Sequence, residues 1–249
     1  MSLTVHIIRH AQASHNVDRK ARDVLDTYLT TLGLQQCAQV QRSFPHPLHA
    51  IISSPQRRAI QTALLCFGPA VVRGLEIELL AELQEVGSHP ACRGVGIGVL
   101  ENEFGTVVNT DGLADNWEQT GLSTDPKDVA ERARYSRCYV REAGVWILDH
   151  TEEQHVQIAV VTHSLLIPFI TNDYSQGKKY FHNTEWRSYT FKDLRGKDNV
   201  AELQETEESL ARRGAQRPDE IQNSHGRVII EEHVASRQGI KDPAPAQTS

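Results

Sequence analysis

The sequence is poor in the features that mark secreted, membrane-spanning and nucleic-acid-binding proteins. Its four cysteines are far apart and form no Cys-x-x-Cys pair, which excludes a disulfide framework and a cysteine-based zinc site. Lysine and arginine number 26 against 32 acidic residues, so we expect binding to neither nucleic acid nor an anionic membrane. No apolar run approaches the roughly 18 residues of a membrane span.

The first fifteen residues carry Arg9, His10 and His15 where a secretory signal would need an apolar core. We therefore expect a soluble, cytoplasmic protein whose thiols are reduced. With 39% hydrophobic and 23% charged residues, the 249-residue chain has an ordinary globular composition and can bury a sizeable core.

Short apolar segments alternate with longer segments of helical pattern, which favours an α/β fold with a sheet covered by helices. The predicted strands are residues 4–9, 50–54, 156–163 and 187–191. The predicted helices are residues 34–44, 56–67, 128–150 and 165–173.

Composition changes along the chain predict its domain organisation. Residues 1–191 read as one catalytic domain, and the Gly- and Pro-rich segment 86–127 reads as an irregular insertion that selects the substrate. Residues 192–249 are polar, and we interpret them as a solvated C-terminal extension, with one helix near 199–213, and not as a separate domain.

A histidine stands at the carboxyl end of each of two predicted strands. Arg9 ends the strand over residues 4–9 and His10 follows it, whereas His163 ends the strand over residues 156–163. Ligands of open α/β sheets bind outside the carboxyl ends of the strands. We therefore expect both histidines to face one crevice.

The predicted strand over residues 50–54 leads through Pro55 into a helix whose first turn carries Arg58. A helix N-terminus favours anions, and an arginine there adds bidentate recognition of phosphate. Because a phosphate ester is dianionic, it needs cationic donors before a nucleophile can approach. Two histidines and two arginines in one crevice therefore indicate phosphoryl transfer to a histidine nucleophile.

Taken in order over roughly residues 4–191, these motifs resemble the histidine phosphatase superfamily in its phosphoglycerate mutase-like branch. The matching residues are Arg9-His10-Ala11 with Asn16; Asp26, Leu29, Thr30, Gly33 and Gln36; the stretch from Ser53 to Thr62; Leu83-Gln84-Glu85; Thr162-His163-Ser164; and the stretch from Asn183 to Tyr189.

The resemblance implies a three-layer α/β/α fold with a mostly parallel central sheet, and it implies catalytic roles for five residues. His10 would be the nucleophile that becomes phosphohistidine. Arg9, Arg58 and His163 would bind the phosphoryl oxygens. Glu85 would protonate the leaving alkoxide and then activate water. No metal and no cofactor are implied.

Three further residues are candidates for substrate binding. Asn16 would donate a hydrogen bond to phosphate or substrate, or else cap a helix. Asn183 would bind substrate or serve as a turn residue. Ser164 stands where the family has glycine, as does Ala11, and its hydroxyl would reach the ligand or its Cβ would narrow the pocket.

The leading hypothesis is a metal-independent phosphatase whose partner is a small phosphorylated or acidic molecule. One alternative is a mutase-type phosphotransferase. Another, suggested by Ser164, is acid–base chemistry on a carboxylated specialised metabolite. A third is a degenerate binding module whose polar tail engages a protein. The sequence does not predict the substrate or the oligomeric state.

Overall fold

A seven-stranded sheet organises the part of the chain that the computed structural model describes, residues 1–175 and 181–239. Its strands are β1 (Ser2–Arg9), β2 (Ala50–Ser53), β3 (Ile77–Leu79), β4 (Val108–Asn109), β5 (His155–Thr162), β6 (Trp186–Phe191) and β7 (Leu203–Glu205). Their spatial order is β4-β3-β2-β5-β1-β6-β7. The first five are parallel to one another, β6 is antiparallel to β1, and β7 is antiparallel to β6. The predicted α/β fold with a mostly parallel central sheet is thereby confirmed.

The helices lie between the strands and after them. They are α1 (Ser14–Val17), α2 (Thr31–Ser43), α3 (Arg57–Cys66), α4 (Gly68–Val72), α5 (Ile97–Phe104), α6 (Pro126–His150), α7 (Ile167–Thr171), α8 (Glu207–Arg212) and α9 (Glu220–Ala235). Within the described ranges, no helix combines the length and apolarity needed to cross a bilayer.

The central strands bury both of their faces, which explains their continuous apolar sequences. Side chains alternate between the faces of a strand. Ile7 of β1 accordingly lies in one hydrophobic cluster and Ile8 in the other. The first cluster includes α6 and α7, and the second includes the buried residues of α2 and α3. The sheet is therefore sandwiched between two helical layers.

The segment 86–127 is more regular than its composition predicts. It contains α5 and the edge strand β4, together with short 3₁₀ turns. The prediction of an irregular insertion is wrong for these two elements. Strands β3 and β4 have only three and two residues, too few to show a period of two in the sequence.

The predicted helix over residues 199–213 is correct only in its second half. Leu203–Glu205 forms β7, which pairs with β6 at the edge of the sheet, and α8 begins at Glu207. Thr206 caps α8, because its side chain accepts the N–H of Ser209. An edge strand with one solvated face carries polar residues, which concealed it in the sequence.

Helix α9 corrects the interpretation of the C-terminal extension as solvated. Gly226, Ile230 and Val234 are spaced four residues apart and are buried. Ile230 and Val234 belong to the same cluster as the buried face of α6. Only one narrow stripe of α9 is apolar, so the composition of the segment did not reveal that it packs on the core.

The close approach of α9 to the loop after α7 gives a stability prediction. A Cβ on Gly226 would lie 1.7 Å from the carbonyl oxygen of Tyr174. We expect Gly226→Ala to lower the free energy of unfolding by about 1–3 kcal/mol, because the helix must move away from the core. Gly98→Ala in α5, where a Cβ meets nothing within 4 Å, is the matched control and should not destabilise. Urea denaturation measures both, and wild-type stability of Gly226→Ala would contradict the packing of α9.

Candidate active site

His10 and His163 are brought together by the pairing of β1 with β5. These strands are parallel, with Arg9 opposite Thr162, and the N–H of His10 donates to the carbonyl of Thr162 at 2.9 Å. The two imidazole centroids are 5.0 Å apart. Both side chains are buried, with exposed fractions of 1% and 0%. The two histidines therefore meet at one edge of the sheet, as their positions after neighbouring strands predicted.

The hydrogen bonds of His10 assign its tautomer. Its Nδ1 lies 2.7 Å from the carbonyl oxygen of Ala11, and because a carbonyl can only accept, Nδ1 carries the proton. Nε2 therefore has its lone pair available. Burial, followed by the charges of Arg58 and Arg9, holds the pKa of His10 well below its usual 6.5. The imidazole is neutral at physiological pH.

His163 occupies an equally buried position directly after the neighbouring strand β5. Its Nε2 lies 2.8 Å from the hydroxyl oxygen of Ser54. Within the described residues its Nδ1 is buried without a hydrogen-bond partner. Burial is the main cause that holds its pKa well below 6.5, and Arg58 and His10 add to it. Such an unsatisfied buried nitrogen is costly unless a ligand contacts it.

Arg58 lies in the first turn of α3 and is fully buried. Its charge acts on both His10 and His163, and we call these residues, with Glu85, the cluster. Its Nη1 donates to the carbonyl of Ala91 at 2.9 Å, and its Nη2 donates to Oε1 of Gln56 at 3.0 Å. Arg9 lies at the end of β1, and its Nη1 donates to the carbonyl of Phe181 at 2.6 Å. Both guanidinium charges act on His10.

Among the described residues, Asp26 is the acid that pairs with Arg58, with its Oδ1 3.9 Å from Nη1. The same oxygen accepts the N–H of Arg57 at 3.0 Å. Burial raises the pKa of Asp26 to about 7, although the charge of Arg58 opposes the rise. At 3.9 Å this pair is a loose one, with no hydrogen bond between the two side chains.

Glu85 follows a 3₁₀ turn at Ala81–Leu83 and is 6% exposed. Its Oε1 accepts the backbone N–H of Val86 at 2.9 Å and that of Leu165 at 3.3 Å. The hydroxyl of Ser164 donates to Oε2 at 3.4 Å. Ser164, the departure from the family glycine, therefore contacts the predicted acid in this structure.

The two predicted asparagine ligands differ in position. Asn183 donates from Nδ2 to the backbone carbonyl of His10 at 2.9 Å, so it supports the loop that carries His10. Asn16 is exposed, and its Oδ1 accepts the N–H of Ala13 at the start of α1. That contact is the one expected of the helix-capping alternative.

Sequence reasoning did not single out two residues beside the cluster. His15 lies with its ring centroid 5.7 Å from that of His10, and burial, aided by Arg58, lowers its pKa to about 3. Gln56 is fully buried and contacts both Arg58 and the backbone of Glu85. The position of His15 five residues after His10 gave only a weak signal, and Gln56 gave none.

Three side chains of the site could in principle bind a metal ion. One ligand atom from each of His10, Glu85 and His163 lies within 4.8 Å of the others, and zinc accepts imidazole and carboxylate ligands. However, the guanidinium of Arg58 acts on both imidazoles and would repel a divalent cation. Glu85 already accepts two backbone N–H groups. The cluster is therefore better suited to an anion.

Comparison with known proteins identifies the family. The model of the histidine phosphatase superfamily (branch 1) matches residues 5–193. The match covers well over half of the chain, and the chain belongs to this superfamily.

Curated relatives from Arabidopsis thaliana match part of the sequence. A phosphoglycerate mutase-like protein is 38% identical over 77 residues, which covers 26% of this chain and 28% of that protein. Phosphoglycerate mutase-like protein 2 is 32% identical over 77 residues, which covers 26% of this chain and 22% of that protein. The matched part thus spans about a quarter of each relative.

Solved structures share the fold at low identity. A mycobacterial glucosyl-3-phosphoglycerate phosphatase complexed with VO3 has a TM-score of 0.55 and 19% identity, and the match covers 81% of this chain and 96% of that one. The ecdysone phosphate phosphatase of Bombix mori, in complex with tungstate, has a TM-score of 0.56 and 14% identity, with coverage of 82% and 91%.

The neutral state of His10 gives a pH prediction. Below pH 6.5 the unfolded chain protonates this imidazole while the folded protein does not, so the free energy of unfolding falls as the pH falls. His10→Asn keeps a donor for the Ala11 carbonyl but does not titrate. We expect the free energy of unfolding of His10→Asn to decline less steeply below pH 6.5 than that of the wild type. The two slopes should differ by up to about 1.4 kcal/mol per pH unit. Denaturation series at several pH values measure the slopes, and parallel slopes for both proteins would contradict a buried neutral His10.

Proposed function

We propose that the protein is a metal-independent phosphatase that hydrolyses a small phosphorylated metabolite through a phosphohistidine on His10. The observation that carries this proposal is the burial of a neutral His10, with a free Nε2, beside His163 and the guanidinium of Arg58. This combination supplies a nucleophile and positive charge in one place, as a dianionic ester requires.

In the first half-reaction, the lone pair of His10 Nε2 attacks the phosphorus atom. The bond from phosphorus to the ester oxygen breaks, and that oxygen takes a proton from Glu85 as the alcohol leaves. The carbonyl of Ala11 holds the Nδ1 proton of His10 and so stabilises the positive charge that develops on the ring.

In the second half-reaction, water attacks the phosphohistidine and Glu85 removes a proton from that water. The bond from phosphorus to Nε2 breaks, its electron pair returns to His10, and inorganic phosphate leaves. Backbone N–H groups at Val86 and Leu165 hold the Glu85 carboxylate in one place for both proton transfers.

Arg9, Arg58 and His163 bind the non-bridging oxygens in this scheme. The buried Nδ1 of His163 would donate to one of them. Two proteins of the same fold are known with phosphate-like oxyanions, one with VO3 and one with tungstate, which supports an oxyanion as the ligand here. Asn183 acts through the His10 loop.

Substrate selection falls to residues further from phosphorus. The segment 86–127 contributes the carbonyls of Ala91 and Cys92 to the groups that hold Arg58 and Gln56, so this segment borders the site. We place Asn16 and Ser164 among the groups that contact the remainder of the substrate, and Ser164 also touches Glu85.

Removal of the nucleophile tests the mechanism. We expect His10→Ala to lower kcat for p-nitrophenyl phosphate and for an active phosphorylated metabolite by at least about 10³-fold. His49→Ala is the control, because His49 contacts the backbone of Gln157 at the opposite end of the sheet. Phosphate release measures both. Activity of His10→Ala equal to wild type would contradict the phosphohistidine mechanism.

A second assay separates hydrolysis from transfer. Hydrolysis predicts one inorganic phosphate for each substrate consumed. Isomerisation of 3-phosphoglycerate in the presence of a bisphosphate primer, without phosphate release, would show a mutase and contradict the proposed hydrolase.

A further inference from the structure

The buried side chain of Gln56 connects Arg58 with the backbone of Glu85. Gln56 is fully buried at the N-cap position of α3. Its Oε1 accepts Nη2 of Arg58 and the backbone N–H of Glu85, each at 3.0 Å. Its Nε2 donates to the carbonyl of Cys92 at 2.6 Å.

The three partners allow only one orientation of this amide. The carbonyl of Cys92 can only accept, whereas the guanidinium of Arg58 and the N–H of Glu85 can only donate. Flipping the amide would break all three hydrogen bonds in a place that water does not reach, and each unsatisfied buried group is costly. The planar amide therefore fixes the guanidinium of Arg58 relative to the backbone nitrogen of Glu85.

We infer that Gln56 is a positioning residue that sets the distance between the phosphoryl-binding Arg58 and the acid Glu85. The inference rests on the proposed function, in which these two groups act on opposite ends of the breaking bond from phosphorus to oxygen. Displacement of either group by about 1 Å can cost on the order of 10²-fold in rate. Gln56 touches neither the phosphoryl group nor the leaving oxygen in this scheme.

The neighbouring Gln84 offers a matched control. It is 1% exposed, and its Nε2 donates to the carbonyl of Thr120 at 2.9 Å. Its side chain has no hydrogen bond to Arg58 or Glu85 among those of the described residues. Loss of Gln84 removes a buried amide of the same size and leaves the connection between Arg58 and Glu85 intact.

The first experiment compares Gln56→Met with Gln84→Met. We expect Gln56→Met to lower kcat for p-nitrophenyl phosphate by about 10- to 100-fold and to weaken competitive inhibition by vanadate. Gln84→Met should stay within about threefold of wild type in both. Equal losses in the two variants would overturn the inference. Wild-type protein that releases no phosphate would instead overturn the proposed function itself.

A double-mutant cycle tests whether Gln56 acts through Glu85. In a Glu85→Gln background the acid is already lost, so we expect Gln56→Met to lower the residual rate by much less than it does in the wild type. A full multiplicative loss in that background would contradict the positioning role.

Gln56→Glu keeps the test open even if Gln56→Met does not fold. A protonated glutamic acid can accept from Arg58 and Glu85 and donate to the carbonyl of Cys92, as the amide does. The ionised form repels that carbonyl and neutralises Arg58. We expect the activity of Gln56→Glu, as a ratio to wild type, to rise as the pH is lowered. A ratio that does not change with pH would contradict the inference.

Discussion

The parallel pairing of β1 with β5 is the constraint on which the candidate site depends. Arg9 lies opposite Thr162, so the residue after each strand emerges at the same edge of the sheet, and His10 and His163 meet there. A shift of one residue would send alternate side chains to the other face. The hydroxyl of Thr162 also donates to the carbonyl of Leu83 at 2.7 Å. The same strand end therefore anchors the turn that precedes Glu85.

The charge states of the buried side chains at this edge of the sheet determine which ligands it can bind. Two neutral imidazoles and one fully buried guanidinium share the space. The pKa of Asp26, which pairs loosely with Arg58, is itself raised to about 7 by burial. A buried charge without a full counter-charge is expensive. A dianionic phosphoryl group would accept hydrogen bonds from Arg58, whose Nε is buried without a hydrogen-bond partner among the described residues.

The sequence predicted the parts of the fold and site that local pattern controls. The strands that end at Arg9 and Thr162 are apolar and are followed by histidine, so the meeting of His10 and His163 could be expected from sheet geometry. Helix α6 was likewise predicted within two residues, because small and apolar residues such as Val129, Ala133 and Val140 recur at helical spacing.

What the sequence did not predict depends on partners far along the chain. Gln56 has an ordinary sequence context, and its significance arises from Glu85 and Cys92, which the fold places against it. Helix α9 packs through one narrow stripe that includes Gly226 and Ile230, while its other faces are polar. Such contacts arise from tertiary structure and have no local signature.

A crystal structure of the protein with vanadate would test the central claim most directly. The account predicts vanadium bonded to Nε2 of His10, with its oxygens within about 3.2 Å of donors on Arg9, Arg58 and His163. Vanadate bound away from these residues, or a His10 whose Nε2 faces away from the anion, would contradict it.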